Sequence, residues 1–223
     1  SSQREKRGPR TGKDLLSLKV ELMEQEILSI LHVCAQATTE QELLPHAQKL
    51  SKLASSADED SLRTHFAKHT RVFVWWLNAD GPALRAYAAC SLANLAFTPQ
   101  GQKATLEAGG AEKLVELLRM RDQDRKVLQH VAAALQNATY QCNPACAAVI
   151  ASGGDKVLKK LASKQSNTSE YAMGTLDNLE CFQRETRDSK KTKPSVMLKL
   201  KGTLQAATAP RSGPSRARRT SAA

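Results

Sequence analysis

The 223-residue chain is rich in alanine and leucine, and only 4% of it is aromatic, which favours close-packed helices over a β-sandwich. Its longest dense apolar run, residues 72–77, is far shorter than the ~20 residues that a membrane-spanning helix needs, so we predict a soluble protein. The net charge of +11 is uneven, with +4 on residues 1–13, +9 on residues 183–223 and −2 on the body between them. This distribution predicts basic tails attracted to acidic partners and argues against a domain built as a nucleic-acid cradle.

The first predicted elements are a basic disordered segment, residues 1–13, and a helix of residues 14–37. In the helix, apolar residues recur at helical spacing on one face: Leu16, Val20, Met23, Ile27, Ile30, Leu31 and Cys34. We interpret this helix as a cap for the helices that follow, because the open end of a stacked array needs a shielding element. A partner-binding or self-associating helix is the alternative.

Four later segments share one alanine- and leucine-rich pattern. Aligned on Lys52, Asn94, Asn137 and Asn178, they follow one another at steps of 42, 43 and 41 residues. A period in this range is typical of stacked two- or three-helix repeats. Because such arrays form extended binding surfaces, the repeat predicts a binding protein rather than an enzyme.

Paired glycines mark the internal boundaries of a repeat. Residues 107–111 read Glu-Ala-Gly-Gly-Ala and residues 151–155 read Ala-Ser-Gly-Gly-Asp, and glycine permits the positive φ of a tight corner. One copy is therefore predicted as a first helix near 100–108, a corner, a second helix near 111–120 and a long third helix near 124–140. The same register makes residues 72–77 part of a second helix, although their composition favours a strand.

These features resemble the armadillo repeat family, in which an Ala-Gly-Gly corner precedes a Leu-Val-x-Leu-Leu helix and a third helix ends in Leu-x-Asn-Leu. The resemblance covers residues 40–182, about three full copies and a partial first one. It implies an all-α, armadillo-like α-solenoid of about three to four repeats in residues 14–182, with the N-terminal helix as its cap. It also implies a non-enzymatic scaffold or adaptor for protein–protein interaction.

A helical wheel of the third helices separates an apolar face from a polar one. The residues predicted to be buried are Leu50, Leu92, Leu135 and Leu176, Ala47, Ala89, Ala132 and Met173, and Leu53, Leu95, Ala138 and Leu179. The opposite face carries the aligned Lys52 and asparagines, and seven residues earlier Pro45, Tyr87, His130 and Tyr171. Polar groups thus recur on the side that faces away from the core.

In the armadillo family this polar face lines a concave groove, where asparagines hydrogen-bond the backbone of an extended peptide. The resemblance therefore implies a peptide-binding groove made of Lys52, Tyr87, Asn94, His130, Asn137, Tyr171 and Asn178. A primary amide suits this role because it offers both a donor and an acceptor. The alternative is that the asparagines tie neighbouring third helices together and the tyrosines pack between them.

Tryptophans are placed differently from those of the family's nuclear-import receptors, which carry one four residues before each groove asparagine. Here those positions hold Gln48, Cys90, Ala133 and Gly174, which argues against a receptor for basic import signals. Trp75 and Trp76 fall on a second helix instead. We interpret them as core of the first repeat, with a partner contact as the alternative.

Residues 183–223 are rich in Lys, Arg, Ser, Thr and Pro and are predicted to be a disordered basic tail. Its candidate anion-binding residues are Lys190, Lys191, Lys193, Arg216, Arg218 and Arg219, and Ser221 follows two arginines as in basophilic kinase substrates. Because the tail is basic, RNA and tubulin are candidate anionic partners for it. The alternative function is accordingly a structural component of a ribonucleoprotein, microtubule or axonemal assembly.

We expect this chain to have neither a catalytic site nor a metal site. Its five cysteines, odd in number and scattered, favour buried reduced thiols in a cytoplasmic protein, with a nucleus, cilium or organelle left open. The His65/His69 and Cys142/Cys146 pairs each lack the second pair that zinc needs. We expect no cofactor, no metal and no small-molecule substrate, and a protein partner bound as an extended peptide or a helix.

Overall fold

A computed structural model describes the backbone of residues 12–57, 60–120, 124–164 and 166–207, with side chains from 15 to 189 within those ranges. The described residues form helices and short connections, with no strand among them. They fall into two units, Ser1–Phe182 and Gln183–Ala223. The predicted all-α class is confirmed.

The helices follow the predicted repeat. Two precede the complete triplets, α1 (Gly12–Gln36) and α2 (Glu40–Ser56). The triplets are α3 (Asp60–Phe66), α4 (Thr70–Trp76) and α5 (Pro82–Leu95); α6 (Pro99–Glu107), α7 (Gly110–Arg119) and α8 (Arg125–Thr139); and α9 (Asn143–Ala151), α10 (Gly154–Ala162) and α11 (Asn167–Ala207). α2 stands as the third helix of a partial first repeat, and residues 72–76 of the apolar run are helical as the register predicts.

Glycine makes the corner in the two later triplets. Gly109 and Gly153 have φ of 73° and 65°, the left-handed region in which other residues are strained. The next residue must also be glycine for a different reason, since a Cβ at Gly154 would lie 2.7 Å from Val149 Cγ1. Before α4, where the sequence has Lys68-His69, a 3₁₀ turn of Ala67–His69 replaces the glycine corner.

The predicted apolar face of the third helices forms the core. Leu50, Leu92 and Leu135 are all 0% exposed, and α5 packs between α2 and α8. Met173 was wrongly predicted to be buried, because it is 47% exposed. The residues at its position on the earlier third helices, Ala47, Ala89 and Ala132, are all 0% exposed.

α1 packs its inner face against α2 and α3, where Ile27 and Ile30 are buried. This is the packing expected of a capping helix. None of the described helices combines the length and apolarity needed to cross a membrane.

The two tryptophans have different environments. Trp76 is 2% exposed and meets Phe73 edge to face, with ring centroids 5.7 Å apart. Trp75 is 66% exposed. The interpretation as core is correct for Trp76 and wrong for Trp75, because neighbouring residues of a helix point about 100° apart.

α11 continues to Ala207, whereas the sequence predicts a disordered tail from residue 183. Lys, Arg and Leu in this stretch are good helix formers, although Pro194 and Gly202 also lie within it. The predicted N-terminal segment up to residue 11 and the end of the tail, residues 208–223, lie outside the described residues.

Candidate functional site

α5, α8 and α11 each carry one asparagine of the aligned position, and its amide nitrogen reaches the preceding third helix. Asn94 Nδ2 donates to Ser55 Oγ at 3.0 Å, and Asn137 Nδ2 donates to Ala93 O at 2.8 Å. Asn178 Nδ2 donates to Gln136 O at 3.1 Å and to Thr139 Oγ1 at 3.0 Å. The donor half of each amide therefore ties consecutive third helices together.

The bond from Asn137 satisfies a carbonyl that a helix end leaves open. The last four carbonyls of a helix lack intrahelical partners, and Ala93 lies in the last turn of α5. Gln102 acts in the same way at the end of α8, where its Nε2 donates to Asn137 O and Tyr140 O, both at 2.9 Å. Among the described residues, none donates to the Oδ1 of the three asparagines, so each amide keeps an acceptor.

Asn137→Ala should lower the free energy of unfolding by about 1 kcal/mol, because the half-buried Ala93 carbonyl loses its protein partner. Urea denaturation followed by circular dichroism measures this. Gln129→Ala, a half-exposed change on the same helix, is the control and should stay within about 0.5 kcal/mol of the parent. Equal effects of the two changes would contradict the tie.

Two shallow depressions lie between consecutive third helices. The first, of about 390 Å³, is lined by Gln48, Ser51, Lys52, Ser55, Ser56 and Tyr87. The second, of about 370 Å³, is lined by Ala96, Phe97, Gln102, Gln136, Asn137 and Tyr140. The structure thus brings the predicted Lys52 and Tyr87 together, with Asn94 joined to the same depression through Ser55.

The remaining predicted groove residues lie on the same helices. His130 on α8 and Tyr171 on α11 are half-buried, outside the two depressions. For the tail, the structure describes only the backbone at Lys190, Lys191 and Lys193, and Arg216, Arg218, Arg219 and Ser221 lie outside the described residues. The predicted anion-binding and phosphorylation sites stay predictions.

Two exposed aromatic residues were missed by the sequence analysis. Phe97 is 68% exposed and Tyr140 is 58% exposed, and both line the second depression. The Arg63 guanidinium lies 5.1 Å from the centroid of the Phe97 ring. A signal for them was present, because each follows its groove asparagine by three residues in successive repeats.

Cys90 lies one turn before Asn94 on α5, and its carbonyl oxygen accepts a hydrogen bond from Asn94 Nδ2 at 2.9 Å. The hydrogen bond from the His130 side chain lowers the pKa of the Cys90 thiol, burial opposes this, and the Ser51 and Ser55 hydroxyls add to the lowering. At Cys34 on α1, burial raises the thiol pKa.

We expect iodoacetamide to alkylate Cys90 faster than Cys34 near neutral pH, because the thiolate is the nucleophile and a lower pKa populates it at lower pH. Peptide-resolved mass spectrometry across a pH series measures both rates. Replacing His130 by glutamine should move the Cys90 profile to higher pH and leave that of Cys34 unchanged. Coincident pH profiles for the two thiols would contradict the assignment.

Comparison with solved structures identifies the fold of the chain. No protein-family model and no curated protein sequence matches the chain. A crystal structure of an engineered protein matches with 26% identity and a TM-score of 0.65, over 73% of this chain and 68% of that one. A designed armadillo repeat protein matches with 22% identity and a TM-score of 0.59, over 71% and 63% of the two chains. The chain therefore has an armadillo-like repeat fold, which confirms the resemblance inferred from the sequence.

Proposed function

We propose that the polar face of α2, α5, α8 and α11 binds an extended segment of a protein partner, so that the chain acts as a non-enzymatic scaffold or adaptor. One observation carries the proposal. Asn94, Asn137 and Asn178 recur once per repeat, each with its nitrogen anchored to a neighbouring helix or side chain and its oxygen without a described donor.

An anchored amide is well suited to this task. Its bonded nitrogen already fixes the side-chain rotamer, so less conformational entropy is lost when a peptide binds. Third helices packed about 8–10 Å apart would offer one acceptor for every two to three residues of an extended chain, at ~3.3 Å per residue. The backbone N–H groups of the partner are the natural donors, and they are present whatever its side chains are.

Selectivity would come from the side chains beside the asparagines. Tyr87 contributes a half-buried ring to the first depression, and tyrosine supplies contact area at low entropic cost. Of the seven predicted groove residues, only Lys52 carries a full charge at neutral pH. Binding should therefore depend weakly on ionic strength, because screening acts mainly on exposed charges.

The test is a selection of random twelve-residue peptides displayed on phage against the full chain. Tyr87→Ser and Tyr171→Ser should each weaken the selected peptides about tenfold, which corresponds to about 1.4 kcal/mol of lost contact. Leu28→Ser removes an exposed apolar residue from α1 and should have no effect. Selected peptides that bind both tyrosine variants normally and lose affinity for Leu28→Ser would overturn the proposal.

A further inference from the structure

The position of Trp75 in the repeat does not explain why an exposed tryptophan stands there. Its counterparts on the second helices of the next two repeats are Glu116 and Lys160, which are both exposed charged residues. The register is secure because Trp76, one residue on, matches the buried Leu117 and Leu161. A large apolar ring thus stands, 66% exposed, where the other repeats place solvated charge.

The exposed indole forms one wall of a pocket of about 290 Å³, which we call the Trp75 pocket. Its other walls are the connection between α1 and α2, at residues 37–40, and the connection between α4 and α5, at residues 78–80. The charged residues that line it are Glu40 and Asp80, and no basic side chain does so. The pocket is thus partly aromatic and partly acidic.

Neither carboxylate is neutralised by a cation among the described residues. Glu40 Oε2 accepts a hydrogen bond from the Gly81 amide at 2.9 Å, which holds the carboxylate at the pocket. The guanidinium of Arg85 lies behind the pocket wall, where its Nη1 donates to the carbonyl oxygen of Ala79 at 2.9 Å, and it forms no ion pair with Glu40 or Asp80 among the described contacts. Arg71 lies one turn before Trp75 on α4 but does not line the pocket.

We propose that the Trp75 pocket binds a lysine or arginine side chain of a protein partner. A cation over a tryptophan face is attracted by the ring, more strongly the further it is desolvated, and the two carboxylates add attraction of the same sign. The same acidic lining repels phosphate groups, which disfavours nucleic acid and anionic lipid. Besides Trp75, the pocket is lined by the first turns of two third helices, at Glu40 and Leu43 on α2 and Leu84 on α5, but by none of the predicted groove residues. The proposal therefore does not depend on the function proposed for the polar third-helix face.

Short capped peptides test the proposal on the full chain. Ac-Gly-Ser-Xaa-Ser-Gly-NH₂ is prepared with arginine, lysine, norleucine or glutamate at Xaa, and the indole N–H resonances are followed by NMR, with Trp75→Gln identifying the Trp75 signal. We expect the arginine and lysine peptides to shift that signal saturably, with a Kd of about 1 mM. Norleucine, which has a similar apolar stem and no charge, should bind at least about fivefold more weakly, and glutamate should not bind.

Asp80→Asn removes one carboxylate charge and should weaken the arginine peptide about threefold to fivefold. Leu28→Ser, which removes an exposed apolar side chain from α1, is the control and should leave the Kd unchanged. Equal affinity for norleucine and arginine would assign the pocket to an apolar side chain and overturn the proposal. It is also overturned if the Trp75 signal does not respond, or if Asp80→Asn binds arginine as tightly as the parent.

Discussion

Leu135→Ala should lower the free energy of unfolding by about 2–5 kcal/mol, the range for a buried leucine that leaves a cavity. Leu135 is 0% exposed on α8, which packs against both α5 and α7. Neighbours on two sides hold the cavity open, because neither can move in without disturbing its own contacts. Urea denaturation of the full chain, followed by circular dichroism, measures the change.

Leu176→Ala is the matched control for this prediction. Leu176 occupies the equivalent position on α11 and is only partly buried, so its truncation removes fewer contacts and should cost clearly less. If Leu176→Ala cost more than Leu135→Ala, the assignment of α8 to the centre of the array would be wrong.

Gly101→Ala should lower the free energy of unfolding by about 3 kcal/mol, at the upper end of the usual cost of overpacking. An ideal Cβ at Gly101 would overlap the Leu95 carbonyl oxygen, so the start of α6 must move away from the end of α5. The backbone fixes the positions of both the added Cβ and the carbonyl oxygen, so no change of side-chain rotamer can relieve this overlap. Thermal and urea denaturation report the loss.

Gly109→Ala separates steric overlap from backbone strain. A Cβ at Gly109 would meet nothing within 4 Å, while its φ of 73° strains any residue with a side chain. We expect a cost of about 1–2 kcal/mol there. A Gly101→Ala protein as stable as Gly109→Ala would show that α6 is not packed against α5 as described.

The repeat period predicted the helices well because each repeat buries the same face against the next. Leu50, Leu92 and Leu135 are buried as predicted, and the glycine corners have the positive φ that paired glycines allow. The prediction was wrong at Met173, which is exposed on α11. Periodicity assigns a residue to a face but does not tell whether another helix covers that face.

The candidate site was only partly predictable. The asparagine register identified which positions recur, but a helical wheel gives a direction and not a partner atom. It could not show that the amide nitrogen of Asn137 bonds Ala93 O, because that contact depends on how α8 crosses the end of α5. Trp75 was misassigned for a related reason, since adjacent residues of a helix point about 100° apart and composition does not show which of them faces the core.

The central claim is that the polar third-helix face holds an extended peptide, and the structure of the full chain bound to a phage-selected peptide tests it most directly. We predict that the peptide runs across α5, α8 and α11, with its backbone N–H groups donating to the Oδ1 of Asn94, Asn137 and Asn178 and with Tyr87 against one of its side chains. A peptide bound away from these helices, on the outer face of α1 or in the Trp75 pocket alone, would contradict the claim.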